Sequence, residues 1–331
     1  MRRGPIARRT AHAFIMATML AAPAAAAELR DVQHATAASS VIVESRFGVA
    51  KGFFKDEGLN VEVRGFQRGA DALNGLIAGQ VDFAEAAVEP TVSAAAQGAE
   101  IVAIAQHSWG SLGKMVASNA NAGLTDLKDY KGKKIGVQFG TAAHNILMMA
   151  LDEEGIDPST IDLVNIRVND MPTAMQSQSF DAVVGWEPAM SRIVAAGFGK
   201  EVITPQEFLK LSKTKAPFLV LTRRDTVKND PELVQHFVNA YCRTQRYLDS
   251  HRDEVVKFVQ SDLGGIVGNL DDAAATDLVY GRSTFDSCVL DDEATEGMTR
   301  TIKFMLKDRP VTVTPTVDDL VNMSFARKAG Q

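Results

Sequence analysis

Between residues 60 and 106 the chain runs NVEVRGF, ADALNGLIAGQ, VDFAEAA, PTVSAAAQG and IVAIAQ. The first, third and fifth stretches alternate or stay apolar as strands do, and the second and fourth repeat apolar residues every three or four positions as helices do. Such β-α-β-α-β order forces an open sheet with helices on its faces. The pattern returns after residue 132 as KKIGVQ, TAAHNILMMALDEEG, IDLVNI, MPTAMQSQ, DAVVGW, PAMSRIVAAG and EVI. Within the repeat, VDFAEAAVEPTV and FDAVVGWEPAM occupy corresponding places, each a strand-like run closed by Glu-Pro (Glu89-Pro90 and Glu187-Pro188) at a helix start. A chain carrying the unit twice is expected to build two similar α/β lobes.

Upstream, SSVIV (39–43) reads as a buried strand and GVAKGFFKDEG (48–58) as a short helix ending at glycine. LGKMVAS (112–118) and APFLVLTR (216–223) read as strands crossing between lobes. After residue 230 the chain reads as helices that pack back on the first lobe. The expected division is residues 1–27 as a removable leader, 28–117 with 216–331 as the first lobe, and 118–215 as the second.

The leader reading rests on MRRGPIARR, an apolar AFIMATMLAA and the small residues APAAAA. That is the pattern of a secretory signal, its apolar run far short of the roughly twenty residues a membrane span needs. The general secretory route suits it better than a twin-arginine route. Residues 1–27 hold four arginines and no acid, so the remainder carries 31 basic and 41 acidic residues, a net charge of −10. An acidic surface excludes nucleic acid and anionic membranes as partners. Cys242 and Cys288 are the two thiols; in an oxidising compartment they either pair or stay as two buried thiols.

In an open parallel sheet, ligands sit beyond the carboxyl ends of the strands. Candidate loops are therefore Glu44–Arg46 (with Ser45), Glu85–Pro90 (with Val88 and Glu89), Gln106–Trp109, Phe139–His144 and Trp186–Pro188. Thr141 followed by the amides of Ala142, Ala143 and His144 offers a helix N-terminus to an anion; equally, Thr141 caps its own helix. Glu89 and Glu187 either begin helices and nothing more, or close on one ligand from two lobes, with Trp186 as a flat wall beside Glu187. Glu44 is read as following a strand and facing a ligand, whereas Glu85, inside an apolar strand, calls for a structural partner. Trp109 and His107 form a wall or are merely packed. No pair of histidines has metal-ligand spacing, and no nucleophile-base, phosphate-loop or dinucleotide motif is present, so no metal, cofactor or catalytic residue is expected.

Four stretches in order, GVAKGFFKDEGLNVEV, ADALNGLIAGQVDFAEAAVEP, LKDYKGKKIGVQFGTAAHNILMMALDEEGID and MQSQSFDAVVGWEPAMSRIVAAG, resemble the periplasmic substrate-binding proteins of ABC importers in the nitrate, sulfonate, taurine and thiamine-precursor group. The resemblance implies a type II periplasmic binding protein: two α/β lobes, two crossing strands as hinge, and a small-molecule ligand trapped between. It further implies a monomer that docks on an inner-membrane permease with an ATPase subunit, and it carries ligand contact onto Glu44, Val88, Glu89, Thr141, Trp186 and Glu187. Family members often have Gly-Ser-Asp-Pro where this chain has Ala87, Val88, Glu89 and Pro90, so a hydroxyl suited to an anionic ligand is missing. With three acids expected at the cleft and Arg46 the one cation, the ligand is expected to bear an amine or other donor group, an aminosulfonate with its anionic end on the Thr141 helix being one form. The rivals are an enzyme of the same architecture, such as a pyrimidine synthase or lyase, and a sensor component that presents ligand to a receptor.

Overall fold

The computed structural model describes residue 1 and residues 28–330 except 40, 111–112, 216, 282–283 and 308–309. The leader read over residues 1–27 lies outside the described residues, apart from Met1. Among the described residues ten strands form two five-stranded sheets. The first sheet contains β1 (Arg30–Ala37), β2 (Leu59–Phe66), β3 (Phe83–Ala87) and β4 (Ile101–Trp109); the second contains β5 (Lys114–Ser118), β6 (Lys134–Val137), β7 (Asp162–Asn165), β8 (Ala182–Gly185) and β9 (Gly199–Ile203); β10 (Pro217–Arg223) returns to the first. Their orders are β2-β1-β3-β10-β4 and β7-β6-β8-β5-β9. The two are the same arrangement, with β3 and β8 as equivalents, so the doubled Glu-Pro segments do occupy matching corners.

In each sheet the antiparallel strand is the one that has just arrived from the other lobe. β5 pairs antiparallel with β8 and β9, and β10 with β3 and β4. Lys114–Ser118, expected to close the first lobe at residue 117, therefore belongs to the second sheet. The chain passes to the second sheet between β4 and β5 and returns between β9 and β10, and the apolar runs read as crossing strands hold the first strands after each passage.

SSVIV is not a strand. The first strand is Arg30–Ala37, and Ile42–Ala50 is a helix. The β-branched run Val41–Val43 favours extension on its own, but Ile42 and Val43 form the buried face of a helix against Leu248, Val255 and Val259, and tertiary packing outweighs propensity. Glu44 thus sits in the first turn of a helix instead of at a strand end.

The first lobe is completed by helices after residue 224, the longest being Pro231–Ser250, which buries Phe237, Val238 and Tyr241 against the sheet. Cys242 on this helix is joined to Cys288, which settles the alternatives left open by the sequence. The second lobe has its own core around Met115, Ile135, Leu147 and Phe208. Among the described residues no helix is long and apolar enough to cross a membrane.

Candidate ligand-binding cleft

A cavity lies between the lobes, lined by Ala37, Ser39, Val41, Arg68, Gly69, Ala70, Ala87, Pro90 and Phe218 from the first and by Gly140, Thr141, Ala142 and Trp186 from the second. Four of these residues are helix N-caps: Val41 of Ile42–Ala50, Arg68 of Gly69–Ile77, Ala87 of Val88–Ala95 and Thr141 of Ala142–Glu153. This follows from the fold. Each helix leaves the carboxyl end of a parallel strand, so its first turn points into the space between the sheets. No side chain caps the first three, and each N-terminus leaves orphan N–H donors with partial positive charge.

Arg68 is the cation of this wall. Its Nε and Nη2 donate to Asp71 at 3.1 and 2.6 Å, which orients the guanidinium and offsets part of its charge. Thr141 Oγ1 donates to the Gln138 carbonyl at 2.6 Å and accepts from His144 N at 3.4 Å. Among the described residues no acidic one lines the cavity; apart from Arg68, Thr141 and Ser39 its walls are apolar, Trp186 included. Beyond Trp186 the cleft continues past Ser39, Phe66, Gln67, Asn169 and Glu187.

The structure thus brings Thr141 and Trp186 together on the cavity wall, puts Glu187 on its continuation beyond Trp186, and places the other expected contacts elsewhere. Glu187 is buried and bound to Lys114 Nζ at 3.0 Å, and accepts from Ser191 N at 2.8 Å. Lys114 is held protonated: burial acts to lower its pKa, but Glu187 and Glu201 together outweigh it and raise it. Val88 is packed in the first lobe's core. Glu89, 4% exposed, accepts from Asn145 Nδ2 of the second lobe at 3.2 Å. Trp109 donates to Asp286 at 2.9 Å and carries Lys215 Nζ 4.0 Å above its ring, on a separate groove with Lys213 and Arg300. His144 stacks on Phe139, centroids 4.7 Å apart.

Glu44 and Ser45 belong to a buried network under the Ile42–Ala50 helix. Glu85 at its centre accepts from Ser45 (2.5 Å), Tyr241 (2.7 Å) and Thr36, and bonds His34 Nε2 at 2.9 Å. Burial acts to raise the Glu85 pKa, yet His34, His107 and the Ser45 hydroxyl hold it down at about 2. Glu44 goes the other way: burial, then the charge of Glu85, push its carboxyl well above the ordinary range. Its Oε2 stands 3.4 Å from His107 Nε2. His107 donates from the same nitrogen toward the Val41 carbonyl at 3.1 Å. The expectation that several acidic tips face one guest is therefore corrected. Glu85 and Glu187 have hydroxyl, histidine, backbone or ammonium partners inside their own lobes instead.

The sequence reading missed Arg68, Ser39, Val41 and Phe218. Arg68 had a signal: it follows β2 directly, at the carboxyl end of a parallel strand. Ser39 and Val41 were hidden by the misread first strand.

Glu89 carries a prediction. Burial raises its pKa to about 7, against smaller lowering effects from its own helix backbone and from Asn145. A carboxyl whose folded pKa exceeds the unfolded value keeps full stability below pH 4.5 and loses it as pH rises toward 7. Glu89→Gln should remove that slope, leaving the variant about equal to the parent at pH 4 and more stable at pH 8 by about 3 kcal/mol. Urea denaturation of both proteins across this range measures the difference.

The profile of the family described as "NMT1/THI5 like" matches residues 47–260. The chain belongs to the NMT1/THI5-like family. A Bacillus subtilis (strain 168) relative named "Putative aliphatic sulfonates-binding protein" is 25% identical over 283 residues, covering 84% of this chain and 82% of that one. The "Taurine-binding periplasmic protein" of Escherichia coli (strain K12) is 28% identical over 59% of each chain. Among solved structures, the alkanesulfonate-binding protein SsuA from Xanthomonas axonopodis pv. citri, bound to MOPS, superposes with a TM-score of 0.74 at 18% identity, covering 90% of this chain and all 100% of that one. The NMT1/THI5-like chain described here accordingly has the two-lobed α/β fold of the periplasmic binding proteins.

Proposed function

We propose that this protein is an extracytoplasmic solute-binding protein that captures a small organic solute with an anionic head between its lobes, as a periplasmic monomer, and delivers it to an ABC-type permease with an ATPase subunit. The observation that carries the reading is the convergence of four helix N-caps, one of them Arg68, on one interlobe cavity that, among the described residues, no acidic side chain lines. Such N-termini bind oxyanions through backbone N–H groups without requiring lysines. The apolar remainder, with Trp186 beside it, favours a solute with a carbon body over a bare inorganic ion. The preference for an amine rested on acids that are buried inside the protein, Glu89 and Glu187 with partners of their own, so it gives way to an anionic head, with an aminosulfonate still fitting. The relatives named for aliphatic sulfonates and taurine support the class.

Isothermal titration with taurine, longer alkanesulfonates, sulfate and simple alkylamines tests it. Sulfonates should bind, and Arg68→Ala should weaken them about thirtyfold, the scale of one charge-assisted hydrogen bond. Binding confined to alkylamines or to sulfate overturns the reading.

A further inference from the structure

Among the described residues, three polar contacts between the second lobe and residues 264–281 of the first run the same way, from donors of the second lobe to acceptors of the first. Arg192 Nη2 donates to the Val267 carbonyl at 3.1 Å, Gln206 Nε2 to the Gly281 carbonyl at 2.7 Å, and Lys114 Nζ to Asp277 at 3.2 Å. The donors come from three separate elements of the second lobe: the Ala189–Ala195 helix, the Pro205–Ser212 helix and β5. The acceptors lie on one short stretch containing the helices Gly264–Val267 and Asp272–Tyr280. Arg192 meets the carbonyl end of the first of these, where a cation also complements the helix dipole.

This stretch is coupled to the cleft by two routes. Val267, Ala275, Leu278 and Val279 share a core with Ile42, Val43 and Phe47, and the helix bearing those three starts at Val41 on the cavity wall. Independently, Lys114 holds Glu187 at 3.0 Å as well as Asp277, and Glu187 follows Trp186 on the opposite wall.

We propose that residues 264–281 are a clasp: an element of the first lobe, remote from the ligand, that holds the second lobe closed and so sets how much of the protein is shut before any solute arrives. The clasp gives Glu187 a positioning role, through Lys114, in place of ligand contact. Closure stabilised without solute raises apparent affinity, because less of the binding energy is spent on moving the lobes. The inference concerns lobe geometry, so it can fail or stand apart from the choice of solute.

The test compares the parent with Arg192→Ala/Gln206→Ala/Asp277→Ala. Nitroxide labels at I77C and V194C, exposed positions of the first and second lobes, report the lobe separation by double electron–electron resonance without any solute. The clasp predicts a shift to longer distances in the triple variant, with unchanged circular dichroism, and about tenfold weaker binding of taurine. Arg192→Lys alone should keep most of the parent distribution. Identical distance distributions in parent and triple variant overturn the clasp. If taurine binds neither protein, the distance comparison still decides the matter, and only the solute reading is touched.

Discussion

Glu85→Ala is expected to destabilise the protein by about 3–5 kcal/mol, the loss typical when one partner of a buried ionic set is removed. Three hydroxyls (Thr36, Ser45 and Tyr241) and the His34 ring converge on this one carboxylate, and all are buried at 1% exposure or less. Alanine leaves the Thr36 and Tyr241 hydroxyls without their acceptor, and Ser45 and His34 with only each other, in a buried site, and an unmet buried polar group costs more than an average hydrogen bond contributes. Glu85→Gln keeps the shape and should lose less. Glu44→Gln should cost less than Glu85→Ala, since burial and the charge of Glu85 already disfavour the charged form of Glu44. Equilibrium urea unfolding of the three variants checks the ranking. A Glu85→Ala loss below 1 kcal/mol would show that the network relaxes around the gap.

Removing the Cys242–Cys288 link by paired alanine substitution should cost about 4 kcal/mol on the chain-entropy estimate for a loop of this length, the separation being 46 residues. The link ties the Pro231–Ser250 helix to the segment whose Asp286 receives the Trp109 indole N–H. Its loss should therefore loosen the first lobe near the hinge and leave the second lobe's core untouched. Guanidinium unfolding with and without reductant measures the cost, and amide exchange locates it: faster exchange confined to residues of the second lobe would contradict the assignment.

What the sequence made legible is the part written as periodicity. The repeated alternation gave both sheets and the matching Glu-Pro corners, because strand and helix periods differ and neither can be mistaken over several turns. The first strand escaped because RDVQHATA carries polar residues whose partners lie far along the chain: His34 bonds Glu85, 51 residues away. Read locally, it has no core face. The same cause misplaced the acids. Near a loop, Glu44, Glu89 and Glu187 look like ligand contacts, and only three dimensions reveal Lys114, Asn145 and the buried hydroxyls that engage or surround them. Arg68, by contrast, was readable from its position after β2. The reading passed over that strand end because the neighbouring acids dominated the charge count.

The placement of β10 has a consequence for how the polypeptide matures. β4 joins the first sheet through β10, so about a hundred residues must emerge after β4 before that sheet can be finished. The second sheet needs only residues 114–203, contiguous and closed on themselves. During vectorial synthesis or export the second half of the jaw can fold first, and the amino-terminal half waits, its widest seam unzipped, for a strand that arrives after its neighbour is complete.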